Sequence, residues 1–147
     1  MLPLLGLITL VMLIVFTLIY LSGTIPKKPA ALEKFLAAVK KNIDTLAVLA
    51  LLYGFVAAFL VPILMAGKLS SGITIVYMFL PMLANLVLVV MALPYAFHKI
   101  EAPLRAKMNV AIMTEITNLM GWITSNEKIL GFLGAALIVL SLVFSIV

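Results

Sequence analysis

Long apolar stretches make up most of the chain, and the short segments between them hold all of its charged side chains. Each stretch matches or approaches the length of about 20 residues that a helix needs to cross ~30 Å of hydrocarbon at ~1.5 Å per residue. The stretches without Asp, Glu, Lys or Arg are 1–26, 45–67, 69–98 and 129–147. This pattern predicts four membrane spans, at about 2–22, 45–66, 72–97 and 129–147.

The first connection between spans has the period of an amphipathic helix. Pro29 suits a first helical position, and the apolar positions after it repeat on one face of a 3.6-residue period. These positions are Leu32, Phe35, Leu36, Val39 and Ile43. We expect a helix at about 29–43 that lies on the membrane, with Lys34 and Lys41 near anionic headgroups. A plain extension of the second span is the alternative.

The third connection, 99–128, is long for a helical bundle. Pro103 marks a helix start, and the face that follows is apolar. This face holds Leu104, Met108, Ile112, Ile116, Leu119, Met120 and Ile123. Because Glu115 would be unfavourable in hydrocarbon, we expect an interfacial or partner-binding helix at about 103–124 rather than a fifth span. Trp122 flanks its apolar face and suits a membrane–water interface.

Composition indicates the solvent around these helices. Hydrophobic residues make up 66% of the chain and charged residues 10%, against roughly 45–50% and about 25% in soluble domains. A chain of about 150 residues buries only ~70% of its unfolded surface, which excludes a water-soluble monomer of this composition. The sequence therefore predicts an all-α integral membrane protein, a four-helix transmembrane bundle in one domain, 1–147, with two amphipathic interfacial helices on the cytoplasmic side.

The distribution of Lys and Arg predicts the orientation of the bundle. The first and third connections together hold nine of these residues, and the second holds only Lys68. Because basic loops stay in the cytoplasm, both termini should lie on the non-cytoplasmic side of an inner or plasma membrane. The net charge of +5 then reflects topology and contact with the lipid bilayer, including anionic lipids at the cytoplasmic face. No motif for nucleic acid accompanies it.

Several side chains at the cytoplasmic boundary are candidates for contact with lipid or another anion. They are Lys34, Lys40, Lys41, His98, Arg105, Lys107 and Trp122. His98 should bond headgroups or backbone, and haem ligation shared by two chains is the alternative. We expect no cofactor and no metal, because the chain has no Cys and its methionines are scattered.

The predicted spans contain no Asp, Glu, Lys or Arg. This disfavours charge-coupled transport and catalysis by paired carboxylates, so no catalytic residue is predicted. The deepest polar side chains are Tyr53 and Asn85, which differ by about 6 Å in depth at ~1.5 Å per residue. We expect a hydrogen bond between their helices, with contact to a ligand or permeant as the alternative.

Small residues form a stripe on each of two spans. The second span carries Ala47, Ala50, Gly54, Ala57 and Ala58, and the fourth carries Gly131, Gly134, Ala135 and Ala136. Such stripes let helix backbones approach closely. One stripe should pack within the chain, which leaves the other for a neighbouring span.

Together these features predict a non-catalytic subunit or scaffold of a larger membrane complex, or a homo-oligomer. Its partners would be other membrane subunits or further copies of the chain. An oligomeric channel or holin-like pore lined by Asn85 is the first alternative.

A membrane enzyme on a lipophilic substrate is the second alternative. The chain is similar in length, span number and predicted topology to membrane-associated eicosanoid and glutathione enzymes. Those enzymes open their second span with an Arg-Ala-x-x-Asn-x-x-Glu-like stretch. This chain has Val39-Lys40-Lys41-Asn42-Ile43-Asp44 there, with no Arg and with the carboxylate one position early. The long third connection also departs from the short one of those enzymes. The enzyme alternative would use Lys40, Lys41, Asn42 and Arg105 at the cytoplasmic interface.

Overall fold

The computed structural model describes residues 2–65 and 72–146, and these residues form six α-helices and no β-strand. In chain order the helices are α1 (Leu2–Leu21), α2 (Ala30–Lys41), α3 (Ile43–Met65), α4 (Gly72–Arg105), α5 (Val110–Ser125) and α6 (Glu127–Ile146). Stretches long and apolar enough to cross a membrane are Leu4–Leu21, Ile43–Leu64, Met78–Arg105 and Glu127–Phe144. The prediction of an all-helical fold with four such helices is confirmed. The second connection, with Lys68, and the predicted span ends at 66 and 147 lie outside the described residues.

Helix α4 lies at the centre of the fold. It packs most extensively along α3 and also contacts α1, α5 and α6, while α1 packs along α6. The interior is filled by large side chains that are at most 1% exposed, among them Leu13, Phe16, Leu88 and Met91. A side chain of α4 that faces α1 or α3 is therefore enclosed by protein.

Hydrogen bonds between helices establish their directions. Thr9 contacts Asn85 and Tyr20 donates to the Met91 carbonyl, so α1 and α4 run the same way. Helices α3 and α6 run the opposite way, because they begin where α1 and α4 end. We call this end of the bundle, with residues 22–42 and 99–128, the basic end, since it carries every Lys and Arg except Lys68.

Helix α4 continues further than the sequence predicts. The predicted span ends at 97, but the helix runs through Pro103 to Arg105. It ends in a turn in which the N–H groups of Lys107 and Met108 both donate to the Leu104 carbonyl, at 3.0 and 2.8 Å. The prediction of a helix start at Pro103 is therefore wrong.

The next helix begins instead after Asn109. The Asn109 side chain accepts a 2.6 Å hydrogen bond from the Ala111 N–H, and α5 starts at Val110. The first N–H groups of a helix have no partner within it, and an Asn oxygen can accept from one of them. Asn109 supplies this acceptor at the start of α5, whereas Pro103 lies in the last turn of α4.

Helix α2 lies inside the predicted range 29–43 and is separated from α3 by Asn42 alone. The Asn42 N–H turns back to bond carbonyls of α2, so α2 ends there and is not a continuous extension of α3. Leu36 is buried at 4% exposure, whereas Phe35 is 43% exposed. One side of α2 therefore packs on the bundle while part of its apolar surface faces outward.

Candidate functional site

A cluster of polar side chains joins three helices in the interior. The Thr9 hydroxyl on α1 lies 3.0 Å from Oδ1 of Asn85 on α4 and 3.1 Å from the hydroxyl of Tyr53 on α3. Tyr53 also donates to the Leu5 carbonyl, and Nδ2 of Asn85 donates to the Pro81 carbonyl at 2.8 Å. Asn85 has no exposed surface. The cluster therefore connects helices and does not open Asn85 to the outside.

The two hydroxyl protons cannot serve all of these contacts, and one assignment gives each donor its own acceptor. Tyr53 donates to the Leu5 carbonyl, Thr9 donates to Oδ1 of Asn85, and the Asn85 amide donates to the Pro81 carbonyl. Each hydroxyl then uses its single proton once. Hydrogen bonds of this kind between helices in a membrane contribute about 0.6–2 kcal/mol each.

Thr9 is the member of this cluster that the sequence analysis did not identify. Tyr53 and Asn85 share the cluster, but Thr9 joins them in place of the direct bond that the sequence predicts. A threonine in an apolar helix can bond its own backbone, and the Thr9 hydroxyl lies 3.0 Å from the Leu5 carbonyl oxygen, so its type alone indicates no partner. Its depth does point to a partner. Thr9 lies as many residues before Leu21, near the end of its apolar stretch, as Asn85 lies before Phe97 on the third stretch.

The small-residue stripe on α3 packs against α4. Ala47, Ala50 and Ala57 are at most 1% exposed. A Cβ added to Gly54 would lie 2.9 Å from Cγ2 of Val89 and 3.2 Å from the Asn85 carbonyl oxygen. This close approach shows that α3 uses its small residues inside the chain.

The stripe on α6 is also used inside the chain, against α1. A Cβ added to Gly131 would lie 2.7 Å from Cδ2 of Leu21, and one added to Gly134 would overlap the Thr17 hydroxyl oxygen. The prediction that a whole stripe remains free for a neighbouring span is therefore wrong, although Ala136 of this stripe is exposed. The reason is that α3–α4 and α1–α6 are separate helix pairs, and each has its own close contact.

Thr17 differs from Thr9 in having no hydrogen-bond partner for its hydroxyl. Among the described residues, Thr17 is the one whose buried side-chain oxygen has no hydrogen-bond partner. Its oxygen faces Gly134 at the position where another residue would carry Cβ, so a Cα hydrogen of Gly134 points toward it. This is the arrangement of a weak Cα–H···O contact, which only partly replaces an ordinary hydrogen bond.

The candidate anion-contact residues are all exposed at the basic end. These are Lys34, Lys40, Lys41, His98, Arg105, Lys107 and Trp122. Two neighbouring charged groups have partners: Nζ of Lys99 donates to Oγ1 of Thr45 at 2.6 Å, and Arg105 pairs with Glu101 at 2.6 Å. Accessible polar chemistry in the described residues is therefore concentrated at this end of the bundle.

A cavity of about 260 Å³ opens beside Arg105. Its lining combines charged, polar and apolar side chains: Arg105, Met108, Val110, Met113, Thr114, Thr117 and Asn118. Lys40, Lys41 and Asn42 do not line this cavity. This cavity thus does not bring together the four residues that the enzyme alternative would use.

Within residues 2–65 and 72–146, no three His, Cys, Asp or Glu side chains are grouped so that they could hold a metal ion. Comparisons with family models, curated proteins and solved structures found no match to the chain. The fold and site therefore define a helical protein with four candidate membrane spans, a bonded polar interior and an accessible basic end.

Proposed function

We propose that the chain is a non-catalytic subunit or scaffold of a membrane assembly, with its basic end in the cytoplasm. The observation that carries this proposal is the contrast between Asn85, fully buried in a bonded cluster, and the exposed side chains of the basic end. The deep polar groups are occupied in holding helices together. Surface for a partner or for lipid headgroups is left at the basic end.

The path of α5 supports a position along the membrane surface. Gly131 of α6 lies beside Tyr20, whose ring centroid is 6.1 Å from that of Tyr95 on α4. Counted from that shared level at ~1.5 Å per residue, Glu127 lies about 6 Å and Arg105 about 15 Å towards the basic end. Helix α5 joins these two levels, about 9 Å apart, with a length of about 24 Å. It therefore runs mostly across the bundle.

The exposed surface of α5 supports contact with lipid or a partner. Met113 and Ile123 are buried against the bundle, at 5% and 0% exposure. Ile112, Leu119 and Trp122 remain 47–57% exposed on the same helix. An amphipathic helix with lysines and an arginine at its ends suits the headgroup region of an anionic leaflet. The α2 helix, with its exposed Phe35, would add apolar contact surface at the same end of the bundle.

The pore alternative receives less support from this geometry. A pore lined by Asn85 would need that side chain at an accessible surface, but Asn85 is enclosed by α1 and α3 and bonded through both ends of its amide. The enzyme alternative would need the lysines of α2 beside the Arg105 cavity, and they do not line it. The subunit proposal requires neither an accessible Asn85 nor the α2 lysines beside the cavity.

The test is the size of the particle that the chain forms in lipid. The full chain is extracted into native-lipid discs and into mild detergent, and its mass is measured by native mass spectrometry. We expect an assembly of fixed composition in both. Leu119→Ala on α5 should shift it toward smaller species, whereas Leu133→Ala on the outward face of α6 should not. Leu133 is the matched control, because the two leucines are similarly exposed, at 47% and 40%. A lone monomer in both preparations would overturn the proposal.

A further inference from the structure

The corner between α4 and α5 has the properties of a built site. The cavity of about 260 Å³ lies there, and the backbone around it is fixed by hydrogen bonds. The N–H of Met108 is bonded to Leu104, and the side chain of Asn109 is bonded to the N–H of Ala111. The cavity therefore does not depend on a loose loop.

Arg105 lines this cavity, and part of its guanidinium is paired with Glu101. Nε and Nη2 both bond to Oε1 of Glu101, at 2.8 and 2.6 Å. That contact uses one edge of the planar group, so the other edge keeps its N–H donors. A guanidinium edge of this kind can bind two oxygens of a phosphate group at once. Glu101 acts here as a positioning residue, because it holds a side chain that is otherwise 60% exposed.

The polar part of the lining offers acceptors as well as this donor edge. The Thr114 hydroxyl donates to the Val110 carbonyl at 2.9 Å, and the Thr117 hydroxyl donates to the Met113 carbonyl at 2.8 Å. With their protons used in this way, both hydroxyl oxygens retain lone pairs. They suit a ligand that carries hydroxyl donors beside its phosphate.

The apolar part of the lining distinguishes a lipid from a free phosphate ion. Met113, 5% exposed, and Val110, 82% exposed, both line the cavity. A phosphate ion gains nothing from these side chains, whereas a phospholipid can place its glycerol backbone and first methylene groups against them. Lys107, on the same turn, adds a further positive charge.

We infer that this corner binds one anionic phospholipid with a hydroxylated headgroup, such as phosphatidylglycerol, from the cytoplasmic leaflet. Arg105 binds the phosphate, and Thr114 and Thr117 accept hydrogen bonds from the headgroup hydroxyls. The inference rests on the orientation given in the proposed function. Phosphatidylcholine, which has no headgroup donor and no net charge, would bind more weakly.

Trp122 provides the readout, because it is the only tryptophan in the chain and lies one turn beyond Asn118 on α5. The full chain is placed in phosphatidylcholine vesicles that contain brominated phosphatidylglycerol or brominated phosphatidylcholine, and quenching of Trp122 gives their relative affinities. We expect a preference for phosphatidylglycerol. Arg105→Gln should lower it by about threefold or more, and Lys107→Gln by less than about twofold, since a charge-assisted bond is stronger than an exposed charge in a diffuse field.

A second variant tests the role of the hydroxyl acceptors. Thr117→Val should lower the preference for phosphatidylglycerol without changing that for phosphatidylmethanol, which has the same charge but no headgroup hydroxyl. No preference in the unmodified chain, or equal losses in Arg105→Gln and Lys107→Gln, would overturn the site. Native masses from the same vesicles separate the two proposals. A monomer that keeps its preference contradicts the subunit function alone, and an assembly without preference contradicts the lipid site alone.

Discussion

The interior of the bundle and its basic end place polar groups in opposite environments. In the interior, Thr9, Tyr53 and Asn85 contact one another and bond to the carbonyls of Leu5 and Pro81. At the basic end, Arg105 and the hydroxyls of α5 stay accessible. An unpaired polar group is far less favourable in an apolar medium than in water. Polar groups inside the bundle therefore hold helices together, while those at the basic end remain accessible to other molecules.

The largest expected difference is in access to a water-soluble reagent. The chain has no cysteine, so single cysteines can be labelled without background. Thr117→Cys on exposed α5 should react fully with an impermeant maleimide added from the cytoplasmic side, whereas Ala84→Cys, at a position 3% exposed, should remain unlabelled. Labelling of Thr117→Cys from the opposite side would refute the orientation. Equal labelling of both would mean that water enters the interior, as in a pore.

Substitution of a contact glycine should have the next largest effect. Gly134→Leu places side-chain atoms where Thr17 and Met91 already lie, and should lower the free energy of unfolding by about 3 kcal/mol. Gly6→Leu is the matched control, because a Cβ at Gly6 meets nothing within 4 Å. Thermal unfolding in detergent micelles measures both. Equal stability of the two variants would show that α1 and α6 are not closely packed.

The two buried threonines of α1 provide a smaller and more specific test. Thr9→Val leaves Oδ1 of Asn85 without its donor and should destabilise the protein by about 1 kcal/mol. Thr17→Val removes a hydroxyl whose polar contact is the weak Cα–H···O contact with Gly134, and should cost less than Thr9→Val. The difference between the unfolding midpoints of the two variants measures how much the polar cluster contributes to stability. A greater loss for Thr17→Val would contradict the assignment of partners.

The smallest effect is expected at the basic end. Glu101→Gln weakens the ion pair with Arg105. Because the Glu101 side chain is 33% exposed and that of Arg105 is 60% exposed, the free energy of unfolding should change by less than about 0.5 kcal/mol. The same unfolding assay applies. A loss comparable to that of Thr9→Val would mean that this pair stabilises the fold, and the contrast between the two regions would be weaker than described.

The four long helices could be predicted because apolar length has few structural solutions. A backbone in hydrocarbon must bond its own polar groups, so a long run such as 45–67 is consistent with little besides a helix. The start of α5 was harder to predict. Pro103 and Asn109 are both start signals, and the turn bonds to Leu104 that separate them are visible only in three dimensions.

The partners of the small residues could not be predicted for a related reason. A stripe such as the one around Gly54 shows that a backbone can approach closely, but it does not identify the approaching helix. The structure assigns Gly54 to α4 and Gly134 to α1. Thr9 was missed on the same grounds, because its role depends on Asn85 from a distant part of the chain.

The single-residue joints at the basic end have a mechanical consequence. Asn42 alone separates α2 from α3, and Asn126 alone separates α5 from α6. At each joint the asparagine N–H bonds back to the preceding helix, and its carbonyl accepts from the following one. Only one residue is available at each joint to absorb a change of direction, so we expect a movement of α5 to be transmitted to α6. Helices α2 and α5 are thus joined directly to α3 and α6, without a flexible tether.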